Sequence, residues 1–146
     1  MKKTRIGAVE EVTIPEWGLR RIRAKIDTGA FTSSLDVGDV HVLPSEQDCP
    51  RYAEILLRDG TRVRTVRVPV SRFRRVRNPS GGVTNRPIVE LVISLAGRRF
   101  RTSVNLHRRE GMNYRMIIGR RALLGRFVVD VSLRRKKIPV KTDASG

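Results

Sequence analysis

Hydrophobic and polar residues alternate along much of this chain with a period of two. Ile22, Ala24 and Ile26 alternate with Arg21, Arg23 and Lys25, and Phe100, Thr102, Val104 and Leu106 alternate with Arg99, Arg101, Ser103 and Asn105. Such a period puts successive side chains on opposite faces of a β-strand, one face buried and one wet. Val66, Val68 and Val70 repeat the pattern. Pro69 among them predicts an edge position, because proline has no N–H to give a second neighbour. Residues 88–95 are apolar nearly throughout, which predicts a strand covered on both faces. Asp59-Gly60, between 52–58 and 61–68, and Ala96-Gly97, between 88–95 and 98–106, read as hairpin turns, each with a glycine free to take positive φ.

Helical signals are few. Gly119-Arg120-Arg121-Ala122-Leu123-Leu124-Gly125 holds good helix formers between two glycines, and Gly125 is a natural stop. The stretch Asn78-Pro79-Ser80-Gly81-Gly82 reads as a loop or hairpin tip. The predicted class is mainly β with one short C-terminal helix.

The 146 residues suit one domain, assigned to 1–133, with a basic and flexible tail at 134–146. No apolar run approaches the roughly 20 residues that cross a bilayer, so no membrane partner is expected. The start, Met1-Lys2-Lys3-Thr4-Arg5, lacks the apolar middle of a signal peptide, and a cytoplasmic location is expected. The single Cys49, between Asp48 and Pro50, reads as an incidental loop thiol. With only His41 and His107 beside it and no HExxH or CxxC spacing, neither a metal site nor a cofactor is expected. Net charge changes the picture more: it is +17, and most of the cations are arginine. Arginine is suited to bidentate grips on carboxylates and phosphates, and such a field gathers acidic partners without choosing among RNA, lipid and polypeptide.

Asp27-Thr28-Gly29-Ala30 directly follows the alternating segment at 22–26. By itself this is a weak motif, equally consistent with a turn aspartate bonding its own backbone. The second segment that matters, Tyr114-Arg115-Met116-Ile117-Ile118-Gly119-Arg120, reads as an apolar strand, a glycine and the start of the helix. Together the two resemble the retropepsin-like aspartic peptidases, in which an Asp-Thr-Gly-Ala loop is packed by an Ile-Ile-Gly-Arg element. A closer resemblance covers residues 6–131. It is to a bacterial and archaeal group labelled ATP-dependent zinc proteases and linked to a glutamate ligase that modifies ribosomal protein S6. It is carried also by Thr32-Ser33-Ser34-Leu35, Ser80-Gly81-Gly82, Asn105-Leu106, Met112-Asn113 and Phe127-Val128-Val129-Asp130. The label disagrees with the residues, which hold neither a GxxxxGK[ST] phosphate loop nor paired histidines.

The resemblance implies a closed acid-protease β-barrel and an aspartic-type endopeptidase. It implies Asp27 as the acid/base, with Thr28, Gly29 and Ala30 shaping its loop, and Ser80, Gly81 and Gly82 as a flap over the substrate. Ile117, Ile118, Gly119 and Arg120 would pack beneath the site. One chain holds one such aspartate, so the second would come from a homodimer. The charge and the ligase link imply acidic substrates, including glutamate-tailed proteins or peptides, and a connection to the ligase pathway or a ribosomal protein. Viral members carry an Asp soon after Asp-Thr-Gly-Ala that pairs with the helix arginine. Here Phe31-Thr32-Ser33-Ser34 stands in that place, and Glu110 or Asp130 is the expected partner of Arg120. The competing expectation is a non-catalytic module of the same fold that holds RNA or a ribosomal surface.

Overall fold

The structure, a computed structural model, describes residues 2–44, 51–77, 79–108 and 113–133. Cys49, Glu110, Met112 and the basic tail lie outside the described residues. The chain opens with three strands, β1 (Thr4–Ile6), β2 (Val9–Ile14) and β3 (Leu19–Ile26). A 3-10 turn, Pro15–Trp17, joins β2 to β3, and Gly18 at φ +61 ends it. The alternation in β3 is interrupted once. Leu19 and Ile22 both point inward with two exposed arginines between them, and Arg21 takes φ +53 where the β2–β3 register shifts. This is a β-bulge, and it resets the phase so that Ile22, Ala24 and Ile26 stay on the core face.

Six strands close into a barrel. β3 pairs with β2 and with β11 (Met116–Ile118), and β11 pairs with β4 (Ser33–Asp36). β4 pairs with β10 (Arg98–His107), β10 with β9 (Val83–Leu95), and β9 returns to β2 through Val12 and Thr13. Strands account for 62% of the described residues, and the expected closed acid-protease barrel is present. Closure removes the free edges that an open sheet of this kind would expose. Side chains such as Ala24, Leu35, Leu91, Ile93, Val104, Leu106, Met116 and Ile118 fill it and are almost wholly buried.

The remaining elements lie outside this ring. β8 (Arg72–Arg77) extends the sheet as a hairpin partner of β9. β5 (Val40–Val42), β6 (Tyr52–Asp59) and β7 (Arg62–Pro69) form a separate three-stranded sheet with β7 at its edge, where Pro69 predicts it. β1 lies parallel to β12 (Phe127–Val129). The helix α1 is short, Arg120–Leu123, with Gly119 before it and Gly125 at φ +77 just after it.

Three sequence expectations need adjustment. The 88–95 run alternates: Val89, Leu91, Ile93 and Leu95 join the core cluster, while Glu90, Val92 and Ser94 are half-buried on the other face. In β10 the reverse holds, since alternation ends at Thr102 and both faces are buried from there to His107, where α1 packs over β10 and β4. The β6–β7 turn sits one residue later than expected. Asp59 pairs with Arg62, and Gly60-Thr61 is the loop, with Gly60 alone at positive φ. The Ala96-Gly97 turn falls as expected, with both residues at positive φ.

Candidate functional site

Asp27 follows the last residue of β3 and is only partly exposed, while Thr28 and Gly29 are open to solvent. Its backbone is fixed from beneath. The Asp27 N–H donates to the Ile118 carbonyl at 2.9 Å, continuing the parallel β3–β11 ladder that pairs Ile26 with Ile118. The chain then turns, and the Ala30 N–H donates to the Asp27 carbonyl at 3.2 Å. Within the turn the Gly29 N–H donates to Asp27 Oδ1 at 3.0 Å. This is the self-bonding of a turn aspartate, and it leaves the carboxylate held at the rim of the barrel with its second oxygen available.

The strand-to-helix element supplies the second side of the site. Arg120 N–H donates to the Ala30 carbonyl at 2.8 Å and Arg121 N–H to the Phe31 carbonyl at 3.0 Å. These are first-turn N–H groups of α1, which have no partner within the helix and are satisfied here by the loop. The Arg120 guanidinium donates to the Thr28 carbonyl at 2.9 Å and lies 5.8 Å from the Phe31 ring centroid. The partner of Arg120 is therefore a backbone carbonyl. Asp130, one of the two expected partners, instead faces Arg5 and Ser132.

Gly119 sits where two backbones nearly touch. A Cβ there would lie 2.7 Å from the Phe31 carbonyl oxygen and 2.9 Å from the Thr32 carbonyl carbon. Since Gly119 has φ −92, the need for glycine is one of space and not of conformation. Its N–H donates to Ser33 Oγ at 3.1 Å, and the Ser33 carbonyl accepts from Asn105 Nδ2 at 3.1 Å. Ser33 and Asn105 are both buried, so these two bonds are shielded from water. The sequence marks both residues as family features but assigns neither a role, because their partners lie 86 and 72 positions away.

Thus Asp27, Thr28, Gly29, Ala30, Ile117, Ile118, Gly119 and Arg120 come together in one place. Ser80, Gly81 and Gly82 belong to a different feature, the exposed turn between β8 and β9, with Gly81 at φ +91. No group of three or more His, Cys, Asp and Glu side chains among the described residues is placed to hold a metal ion. Nor is any described helix long and apolar enough to cross a membrane.

The profile of a family described as retropepsin-like aspartic endopeptidase RimB matches residues 5–140. A protein of Parasynechococcus marenigrum named "Probable alpha-L-glutamate ligase" is 32% identical over 133 residues. One of the same name from Desulfotalea psychrophila is 29% identical over the same length. Each alignment covers 88% of this chain but 28% of the relative, so the chain spans little more than a quarter of those proteins. Among solved structures, the protein Lpg0085 of Legionella pneumophila, of unknown function, superposes with a TM-score of 0.73 at 26% identity. That superposition covers 90% of this chain and 96% of the other.

Proposed function

Because the chain belongs to the RimB-like family of retropepsin-like aspartic endopeptidases, we propose that it is an aspartic-type endopeptidase acting as a homodimer on acidic proteins or peptides. The observation that carries this reading is the hold on Asp27. Its loop is bonded to β11 and to α1 through the backbone of Asp27, Thr28, Ala30 and Phe31, yet its carboxylate stays at the surface. A general acid/base needs that combination of fixed position and access.

In the proposed mechanism a two-fold axis brings the Asp27 of each copy to within about 3 Å, where two carboxylates cannot both ionise and share one proton. The ionised member takes a proton from the bound water as its oxygen attacks the scissile carbonyl carbon. The protonated member gives its proton to the carbonyl oxygen. As the C–N bond breaks, a proton returns to the leaving nitrogen. Ser80, Gly81 and Gly82 would close over the substrate and exclude water. The exposed Thr28 side chain is free to bond across the axis. Exposed Phe31 and Leu124, on the loop and on the helix end that grips it, are apolar groups that such an interface would cover.

Substrate class follows from charge. A net charge of +17 favours acidic chains. The ligase name of the longer relatives points to glutamate-modified proteins as the material on which this domain acts, and the resemblance carried by the sequence adds a ribosomal protein to that class.

The test is Asp27→Asn, which keeps size and hydrogen bonding and removes the ionisable group. The wild type should cut glutamate-rich peptides, faster at low salt, and Asp27→Asn should not. Sedimentation should give twice the chain mass, reduced to one chain mass by Leu124→Glu. The second reading, a basic module that holds RNA, is favoured by the same charge. It would prevail if the wild type cut no peptide between mildly acidic and neutral pH while binding RNA equally well with and without Asp27.

A further inference from the structure

β8 reads Arg-Phe-Arg-Arg-Val-Arg across its six residues. It is the last strand in its sheet, with β9 on one side and no strand on the other among the described residues. An edge strand turns the N–H and C=O of alternate residues outward, where an extended chain can pair with them. Four of its six side chains are arginines, all exposed. None of these four makes an ion pair or side-chain hydrogen bond among the described residues.

Their placement is regular. Arg72 and Arg74 project from one face of the ribbon, and Arg75 and Arg77 from the other, as their register against Ile88, Arg86, Asn85 and Val83 requires. Residues two apart on a strand are about 6.5–7 Å apart. The carboxylates of residues i and i+2 in an extended peptide repeat at that same distance. A chain added to this edge would therefore meet an arginine pair on each face, and only an uninterrupted acidic run would engage both pairs. On the second face, Arg75 and Arg77 with Val83 line an open depression.

We infer that the outer edge of β8 is a docking strand for an extended run of glutamate or aspartate residues, which pairs by its backbone and is gripped through its carboxylates by Arg72, Arg74, Arg75 and Arg77. The inference rests on the acidic-substrate part of the proposed function and does not depend on catalysis by Asp27. Two features favour a polypeptide over RNA. Pairing along a strand edge uses amide groups that a nucleic acid lacks. The one aromatic on β8, Phe73, has the Arg51 guanidinium 5.4 Å from its ring centroid, so the strand offers no open row of stacking platforms. Arginine also matters, because its planar fork holds a carboxylate through two bonds where a lysine offers a point charge.

The experiment uses the full chain carrying Asp27→Asn, so that the probe is not cut, and follows the fluorescence anisotropy of a labelled hexaglutamate. Replacing Arg72, Arg74, Arg75 and Arg77 together with Gln should weaken binding by about thirtyfold. Replacing Arg58, Arg62, Arg64 and Arg67 on β6 and β7, which removes the same charge elsewhere, should weaken it by about threefold or less. Hexaglutamate N-methylated at alternate positions keeps its charge but loses the pairing N–H groups, and should bind the unaltered arginine strand about tenfold more weakly. The inference is overturned if both quadruple variants lose equally, if N-methylation changes nothing, or if oligouridine of equal charge binds more tightly than hexaglutamate. The two readings fail separately. Wild-type cleavage with binding untouched by the β8 variant sinks the docking strand alone, and the expected binding without any cleavage sinks the peptidase alone.

Discussion

The guanidinium of Arg120 donates to the carbonyl oxygen of Thr28 at 2.9 Å, across 92 positions of sequence. Through this bond, and through its own N–H to Ala30, one residue at the start of α1 holds two carbonyls of the turn that presents Asp27. Replacing Arg120 with Met should cost about 1 kcal/mol in chemical denaturation, the usual net value of such a bond. Lys should recover only part of it, because its ammonium lacks the fixed planar N–H that the guanidinium aims at the Thr28 carbonyl. In the peptidase reading the larger effect is on turnover: kcat should fall well beyond what the stability loss explains. A normal kcat in Arg120→Met would separate this contact from the function of Asp27.

Gly119→Ala tests the close approach beneath the loop. The added Cβ would sit 2.7 Å from the Phe31 carbonyl oxygen, a backbone atom that cannot swing aside. A destabilisation of about 1–3 kcal/mol is expected from such overpacking, measured by urea unfolding. Gly60→Ala is the contrasting case: a Cβ there meets nothing within 4 Å, and any cost comes from its φ of +61.

Ser33→Ala removes the acceptor for the buried Gly119 N–H and should cost about 1–3 kcal/mol, since a buried donor left unpaired loses its full desolvation penalty. Amide exchange at Gly119 should quicken in this variant. Asn105→Leu should have a smaller effect, because the Ser33 carbonyl it serves lies on a strand already paired with β10. Equal losses in the two variants would contradict this ranking.

The pH dependence has a local origin at Asp130. The Ser132 hydroxyl donates to its Oδ1 at 2.6 Å and the Ser132 N–H to the same oxygen at 3.0 Å, with Arg5 adding a smaller pull at 3.5 Å. Together they hold the Asp130 carboxyl below the ordinary aspartate range. A depressed folded-state pKa stabilises fully above the ordinary range, and that contribution is lost as pH falls through the folded value. Asp130→Ala should therefore melt below the wild type near neutral pH, and the gap should close on acidification. A gap of constant size down to about pH 2 would rule out this linkage.

Legibility followed the range of the interactions. The β6–β7 and β9–β10 hairpins, the edge position of β7 and the short helix could be read from neighbours, because alternation, proline and glycine act over a few residues. The bulge at Arg21 and the double burial of Ser103 and Asn105 could not. The first depends on where β2 must meet β3, and the second on a helix that arrives some 15 residues later and packs over β10.

The same division runs through the site. Asp27-Thr28-Gly29-Ala30 and Ile117-Ile118-Gly119-Arg120 are written in the chain, as are the glycine-bearing tip at 80–82 and the arginines of β8, and their residue types alone define the available chemistry. Tertiary structure decided that Arg120 would serve the Thr28 carbonyl and not Asp130. It also put Ser33 and Asn105 under Gly119, and left the outer edge of β8 without a neighbouring strand among the described residues. Composition and period act locally and can be read in one dimension. A hydrogen bond across 92 residues forms only where barrel closure delivers both partners to the same few ångströms.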